Sequence, residues 1–297
     1  MSRDSFSTYN PGINFLFYIG AVLFGMFFIH PAFLGCSCIL AMIYYATVRG
    51  IRALKLIGGM IPLFILLAVI NPFFNIYGQH VLFTYLGGRP YTFEAMCYGM
   101  AVAGMFVTII MWFASYNMVM TGDKFMYIFG RMAPSITLVL TMVMRFVPSF
   151  RKKAIQIAAA RKSVGKAGDS GSGRDKVENG MIIVSALTNW ALEGGIITAD
   201  SMQSRGYGCG QRTAFSIYRF AFRDVVLLSV MLLLMAAIIF CGLNGGAATT
   251  YTPEINIAGF DNLYSLIGIV CYFVFLAIPT ALNIGEEITW RILRSRI

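Results

Sequence analysis

Few residues in this chain are of a type that performs chemistry, and their spacing decides what they can do. Gly165-Lys166 is the nearest approach to a phosphate-binding loop. Ala160 stands where such a loop needs its first Gly, and Ala167 where it needs Ser or Thr. The segment before it does not read as a strand, so no nucleotide site is expected. The only histidines, His30 and His80, form no H-E-x-x-H pattern. Of six cysteines, Cys36, Cys38, Cys97, Cys241 and Cys271 fall in apolar stretches and Cys209 in a basic region. They read as small hydrophobes. Cys36 and Cys38 lack further ligands at metal-binding spacing. Glu94 precedes an apolar stretch and Glu286-Glu287 follow one, while no apolar stretch carries the internal ionisable residue of a proton- or sodium-coupled carrier. No paired carboxylates and no nucleophile–base set occur. Neither catalytic residues, cofactor nor metal is expected, and the chain reads as a non-enzyme.

What remains is arginine at helix ends. The segment 150–163 (FRKKAIQIAAARKS) has basic ends around an Ala-rich middle. Such a helix suits anionic lipid, and its small face equally suits close approach to a partner. The segment 190–208 (WALEGGIITADSMQSRGYG) reads as a helix ending at Arg205, with Gly206 as its C-terminal cap. An Arg there complements the helix dipole by about 0.3–1 kcal/mol, but it is also placed for bidentate capture of a carboxylate on another protein. Tyr207 adds an aromatic of the kind enriched in interfaces.

The elements that carry these residues follow from composition. The 297 residues are 58% hydrophobic and 12% charged, with a mean hydropathy of +0.73. A soluble domain has no means of hiding so much apolar surface. Soluble enzymes, disordered chains and disulfide scaffolds are excluded. No cleavable signal peptide is expected at Met1-Ser2-Arg3-Asp4. Charge-free gaps predict six spans, near 13–29, 32–48, 56–70, 95–120, 225–241 and 262–282. The charge-free gap from Asp4 to Arg49 that holds the first two is broken by Asn10-Pro11 and His30-Pro31, and the third ends in Asn71-Pro72.

The net charge of +10 is explained by the positive-inside bias rather than by nucleic acid. Arg49, Arg52 and Lys55 lie between spans two and three, and Arg291, Arg294 and Arg296 close the chain. Fifteen Lys and Arg against six acids lie between Met120 and Asp224. Both termini are therefore expected in the cytoplasm, with only Arg89 in a loop on the far side. The apolar pieces 132–144 and 179–192 are too short to span and suit interfacial helices, separated by a Gly/Ser-rich turn at 162–176. The expected fold is an all-α polytopic membrane protein: about six transmembrane helices with a central cytosolic coupling region of amphipathic helices. Residues 1–122 hold about four spans, 123–223 the coupling helices, and 224–297 two spans and a basic tail.

Several segments together resemble one family. Residues 198–208 (TADSMQSRGYG) are similar to the second coupling-helix motif of the transmembrane T component of energy-coupling factor (ECF) transporters. Asn71-Pro72-Phe73-Phe74-Asn75, Thr92-Phe93-Glu94-Ala95, Asp123-Lys124-Phe125, Arg145-Phe146-Val147-Pro148 and Tyr218-Arg219-Phe220 resemble that family's recurrent segments in order. The resemblance implies a plasma-membrane scaffold between two cytosolic ABC-type ATPases and a membrane-embedded substrate-binding S component. It also implies two coupling helices, each ending in a small-Arg-small motif that docks an ATPase. Ser204-Arg205-Gly206 matches the second motif. Ala160-Arg161-Lys162 falls where the first belongs, with Lys162 in place of a small residue and Gly165 as an alternative end. The expected role is ATP-driven uptake of a vitamin, metal ion or other micronutrient. The Met- and Phe-rich surface of Met132, Met142, Met144 and Phe146 suits either a moving partner or ordinary packing.

Three other readings compete. A permease of an ordinary ABC importer couples through one short cytosolic helix and carries its own substrate path. A secondary transporter predicts repeated halves with broken spans, and no such repeat occurs. A membrane-embedded enzyme lacks its constellation.

Overall fold

The computed structural model describes residues 4–75, 78, 80–85, 89–165, 173–209, 218, 220–251, 255–257 and 262–294. Met1-Ser2-Arg3, residues 166–172 of the Gly/Ser-rich turn, Arg219 and Arg296 lie outside them, as do the side chains of Arg89 and Met132.

The first two helices begin where the sequence offers caps. Asn10 accepts the Gly12 N–H at 3.0 Å and starts α1, Pro11–Phe27, with Pro11 in its first turn. His30 accepts the Ala32 N–H at 3.2 Å and starts α2, Pro31–Arg49, in the same way. In both, a polar side chain satisfies a free N–H and Pro occupies a position where its missing N–H costs nothing. Gly50, at φ +60°, ends α2. Next come α3, Ala53–Phe74, strands β1, Val81–Tyr85, and β2, Arg89–Thr92, then α4, Phe93–Val119, and α5, Gly122–Met132. The long α6, Pro134–Ser163, and α7, Gly173–Ser204, precede α8, Phe222–Cys241, a short pair β3, Thr249–Thr250, and β4, Asn256–Ile257, and α9, Leu263–Arg294.

Three sequence expectations need amendment. The two small antiparallel hairpins, β1–β2 and β3–β4, were not legible in an all-α pattern. Asn71-Pro72 does not end α3, which continues to Phe74. Pro72 cannot donate to the carbonyl of Ala68, four residues back. That freed oxygen instead faces α4, where a Cβ on Gly99 would lie 2.9 Å from it. Finally, Glu178 and Glu193 bound the apolar gap of 179–192 without bounding the helix, since Glu is a good helix former. Hence α7 runs for 32 residues.

Two compact units result, residues 1–124 with 218–297, and residues 125–217. In the first, α3 and α2 pack on α4, and α9 packs on α8 and α2. Its centre is aromatic. Trp112, fully buried, meets Phe17 edge-on at 5.5 Å between ring centroids and donates its Nε1–H to Ser37 Oγ at 2.9 Å. Phe6, Phe17, Tyr44, Tyr272 and Phe275 surround the same core. Outward faces are apolar and exposed, including Ile61, Ile65, Leu66, Leu232 and Leu233. Without a hydrophobic drive between helices in lipid, such units rely on close packing and directed polar contacts.

Among the described residues, five helical stretches are long and apolar enough to cross a membrane: Pro31–Phe74 (divided at Gly50), Phe93–Val119, Gly173–Ser204, Phe222–Gly246 and Leu263–Arg294. The shorter apolar helix is Pro11–Phe27. The chain is an all-α protein whose apolar helices fit a membrane-embedded, multi-pass molecule.

Candidate functional site

The arginine tips belong to the second unit, and contacts within it define how its two long helices run. Arg161 Nε donates to Asn179 Oδ1. Phe150 meets Trp190 edge-on at 5.6 Å between centroids, and Lys153 Nζ lies 5.7 Å from the Trp190 ring centroid. Met142 and Phe146 share a groove with Gly195, Thr198, Ala199 and Met202. As the α6 partner moves from 161 to 150 to 142, its α7 counterpart moves from 179 to 190 to about 198. The two helices therefore form an antiparallel hairpin in constant register.

That register sets the tips apart. Arg161 sits in the last turn of α6, whereas Arg205 lies level with the first turn of the same helix. With 1.5 Å of rise per residue, the two are separated by roughly 40 Å along the hairpin.

The two ends also differ in build. At the second, the Gly206 N–H bonds to the Gln203 carbonyl and the Tyr207 N–H to the Met202 carbonyl, both at 3.0 Å. Gly206 has φ +73°. This is the paired closure in which a left-handed residue satisfies the final carbonyls of a helix. Tyr207 thereby folds back beside Met202, and both line a groove of about 410 Å³ with Met142 and Phe146. Ser204 Oγ donates to the Asp200 carbonyl at 2.8 Å. Arg205 is exposed, and its guanidinium has no protein partner among the described residues. It is a positive charge at a helix C-terminus held by a fixed turn and open to an incoming carboxylate.

At the first end, Arg161 is half-buried and its guanidinium is engaged by Asn179. Ala160 and Lys162 are exposed. The helix ends in a turn at Gly165, φ +75°, whose N–H bonds to the Lys162 carbonyl at 3.1 Å. The turn-forming glycine thus lies four residues beyond Arg161, not directly after it as Gly206 follows Arg205. Asn179 and Trp190, which fix the hairpin, carried no sequence signal as single residues. Only their antiparallel spacing from Arg161 and Phe150 could have suggested them.

Among the described residues no three His, Cys, Asp or Glu side chains gather in a metal-holding group. No protein-family model matches the chain, and no curated protein matches it.

Proposed function

We propose that this chain is the transmembrane T component of an ECF-type importer. It would couple ATP hydrolysis by two cytosolic ABC-type ATPases to uptake of a micronutrient through a separate S component. The observation that carries this reading is the hairpin with an arginine at each end, roughly 40 Å apart by helical rise. One partner pocket spans a few ångströms, so tips this far apart suit two separate partners. ATP-driven changes in the partners' spacing would pull on the two ends and pass through the hairpin to the membrane unit. On this reading six helices span, α1 to α4, α8 and α9, both termini are cytoplasmic, and the hairpin lies at the cytoplasmic face.

One observation favours a second reading. Since α7 is long and apolar enough to cross a membrane, it could be a span of an ordinary ABC permease. Against this, Glu193 is exposed in mid-helix, and a carboxylate at the bilayer centre costs about 2.5–3.5 kcal/mol by insertion scales. Membrane-impermeant thiol labelling separates the two. Native Cys209, exposed beside the Arg205 tip, and a Ser163→Cys variant at the other end label from the cytoplasmic side alone if the hairpin is cytosolic. Labelling from opposite sides would establish α7 as a span. The functional test is co-purification from native membranes. The tagged chain is expected to bring down two ATPases and a small hydrophobic membrane protein, and Arg161→Glu with Arg205→Glu to lose the ATPases while still inserting. Retention of the ATPases by that double variant would refute docking through the tips.

A further inference from the structure

The residues just before α1 carry a second device, unrelated to the arginine tips. Asp4 divides its carboxylate between two helices: Oδ2 accepts the Tyr44 hydroxyl of α2 at 3.0 Å, and Oδ1 accepts Asn283 Nδ2 of α9 at 2.8 Å. Asn283 returns the contact through Oδ1, which accepts the backbone N–H of Ser5 at 2.8 Å and of Phe6 at 3.3 Å. A single turn follows at Phe6–Thr8, closed by Thr8 Oγ1 on the Ser5 carbonyl at 2.7 Å. The Phe6 ring is fully buried against Phe17 and Tyr18.

The turn then meets α5. Lys124 Nζ donates to the Ser7 carbonyl at 2.6 Å, to Ser7 Oγ at 3.2 Å and to the Val119 carbonyl at 2.9 Å. Lys124 is buried, at 6% exposure. None of these acceptors is a carboxylate. Burial pulls its pKa below that of a free lysine, and nearby Asp4 draws it partly back. An ammonium out of water is costly unless every donor is satisfied, and removing its acceptors leaves that cost uncompensated. Two of the three oxygens come from the N-terminal turn. Lys124 is also the last residue of the first unit before the second begins at Phe125.

We propose that residues 4–8 are a latch: a strap that ties the first turn of α5 to Tyr44 of α2 and Asn283 of α9, and so restrains the chain where it enters the second unit. Its polar half is reachable. Asp4, Ser5 and Asn283 line an open groove of about 490 Å³ together with Trp290, Arg291 and Arg294. Its apolar half, Phe6, is the buried plug. Release therefore begins at the Asp4–Asn283 bonds and ends by freeing Lys124. This assignment does not depend on which partner the second unit meets.

The test is hydrogen exchange of the full chain in nanodiscs, read by mass spectrometry, in Lys124→Met and Asp4→Ala. The expected result in each is exchange at least tenfold faster at the amides of 126–130 in α5 and 5–8 in the strap, with the amides around Trp112 unchanged. Unchanged exchange at 126–130 in Asp4→Ala would overturn the latch, because the strap would then restrain nothing in α5. Equal acceleration around Trp112 would also overturn it, by making the strap ordinary core packing. If Lys124→Met does not fold, Asp4→Ala decides alone.

Discussion

Gly99 and Gly104 lie five residues apart on α4 and provide a matched pair for testing the α3–α4 contact. A Cβ on Gly99 would come 2.9 Å from the Ala68 carbonyl oxygen, with Asn71 Cβ and Pro72 Cδ at 3.2 Å. On Gly104 the nearest atom, Phe64 Cε2, lies 3.9 Å away. Replacing either with Ala changes helix propensity by the same amount, about 0.5–1 kcal/mol in favour of Ala in water. Whatever that becomes in lipid, it cancels in the comparison. Only Gly99→Ala meets backbone, which must move by several tenths of an ångström. Overpacking of that kind costs about 1–3 kcal/mol. Gly99→Ala is therefore expected to be about 1–3 kcal/mol less stable than Gly104→Ala. Equilibrium unfolding by steric trapping in bicelles measures this directly. If Gly99→Ala proves as stable as Gly104→Ala, or more so, the reasoning from close approach is wrong.

Other expectations concern the core and the hairpin. Trp112→Phe removes the Nε1–H bond to Ser37 and should destabilise by about 1–2 kcal/mol, seen in the same unfolding assay. In the hairpin, Gly206→Val forces a β-branched residue to φ +73°. A cost of at least ~1–2 kcal/mol should fray the last turn of α7, accelerating exchange at 201–205 while amides near Trp190 stay slow. Trp190→Ala deletes both the Phe150 contact and the Lys153 cation–π contact. It should loosen the hairpin by about 1–2 kcal/mol, reported by faster exchange in both α6 and α7. Single substitutions at the tips should differ: Arg205→Ala should weaken partner binding without altering exchange in the hairpin, whereas Arg161→Ala should also speed exchange near Asn179.

What the sequence could reveal depended on whether a single residue or a pair carried the information. Asn10-Pro11 and His30-Pro31 marked α1 and α2 because capping is local: one side chain and one ring are the whole signal. Gly206 marked the end of α7 for the same reason. Asn71-Pro72 misled, because the carbonyl that Pro72 frees has a place beside Gly99, and that accommodation lies on another helix. The apolar gap at 179–192 understated α7 because charge bounds a span but not a helix. The Asp4–Asn283 pair joins positions 279 apart in sequence, and nothing local to Met1-Ser2-Arg3-Asp4 announces it. The position of both arginines was legible, and so was the displaced glycine after Arg161, but the engagement of Arg161 was not. Arg161 is engaged through Asn179, a partner identifiable only once the register of the hairpin is known.

That register makes the hairpin a ruler with a phase. The span between its tips is counted in residues, and each residue added to a helix lengthens it by 1.5 Å and turns everything beyond it by about 100°. One inserted residue would leave Arg205 nearly at its present reach but aimed a quarter-turn away. Seven residues in each helix, close to two full turns, would restore its bearing and lengthen the separation of the two tips by about 10 Å. Among descendants of such a chain, changes in hairpin length are thus confined to near-whole turns made in both helices together.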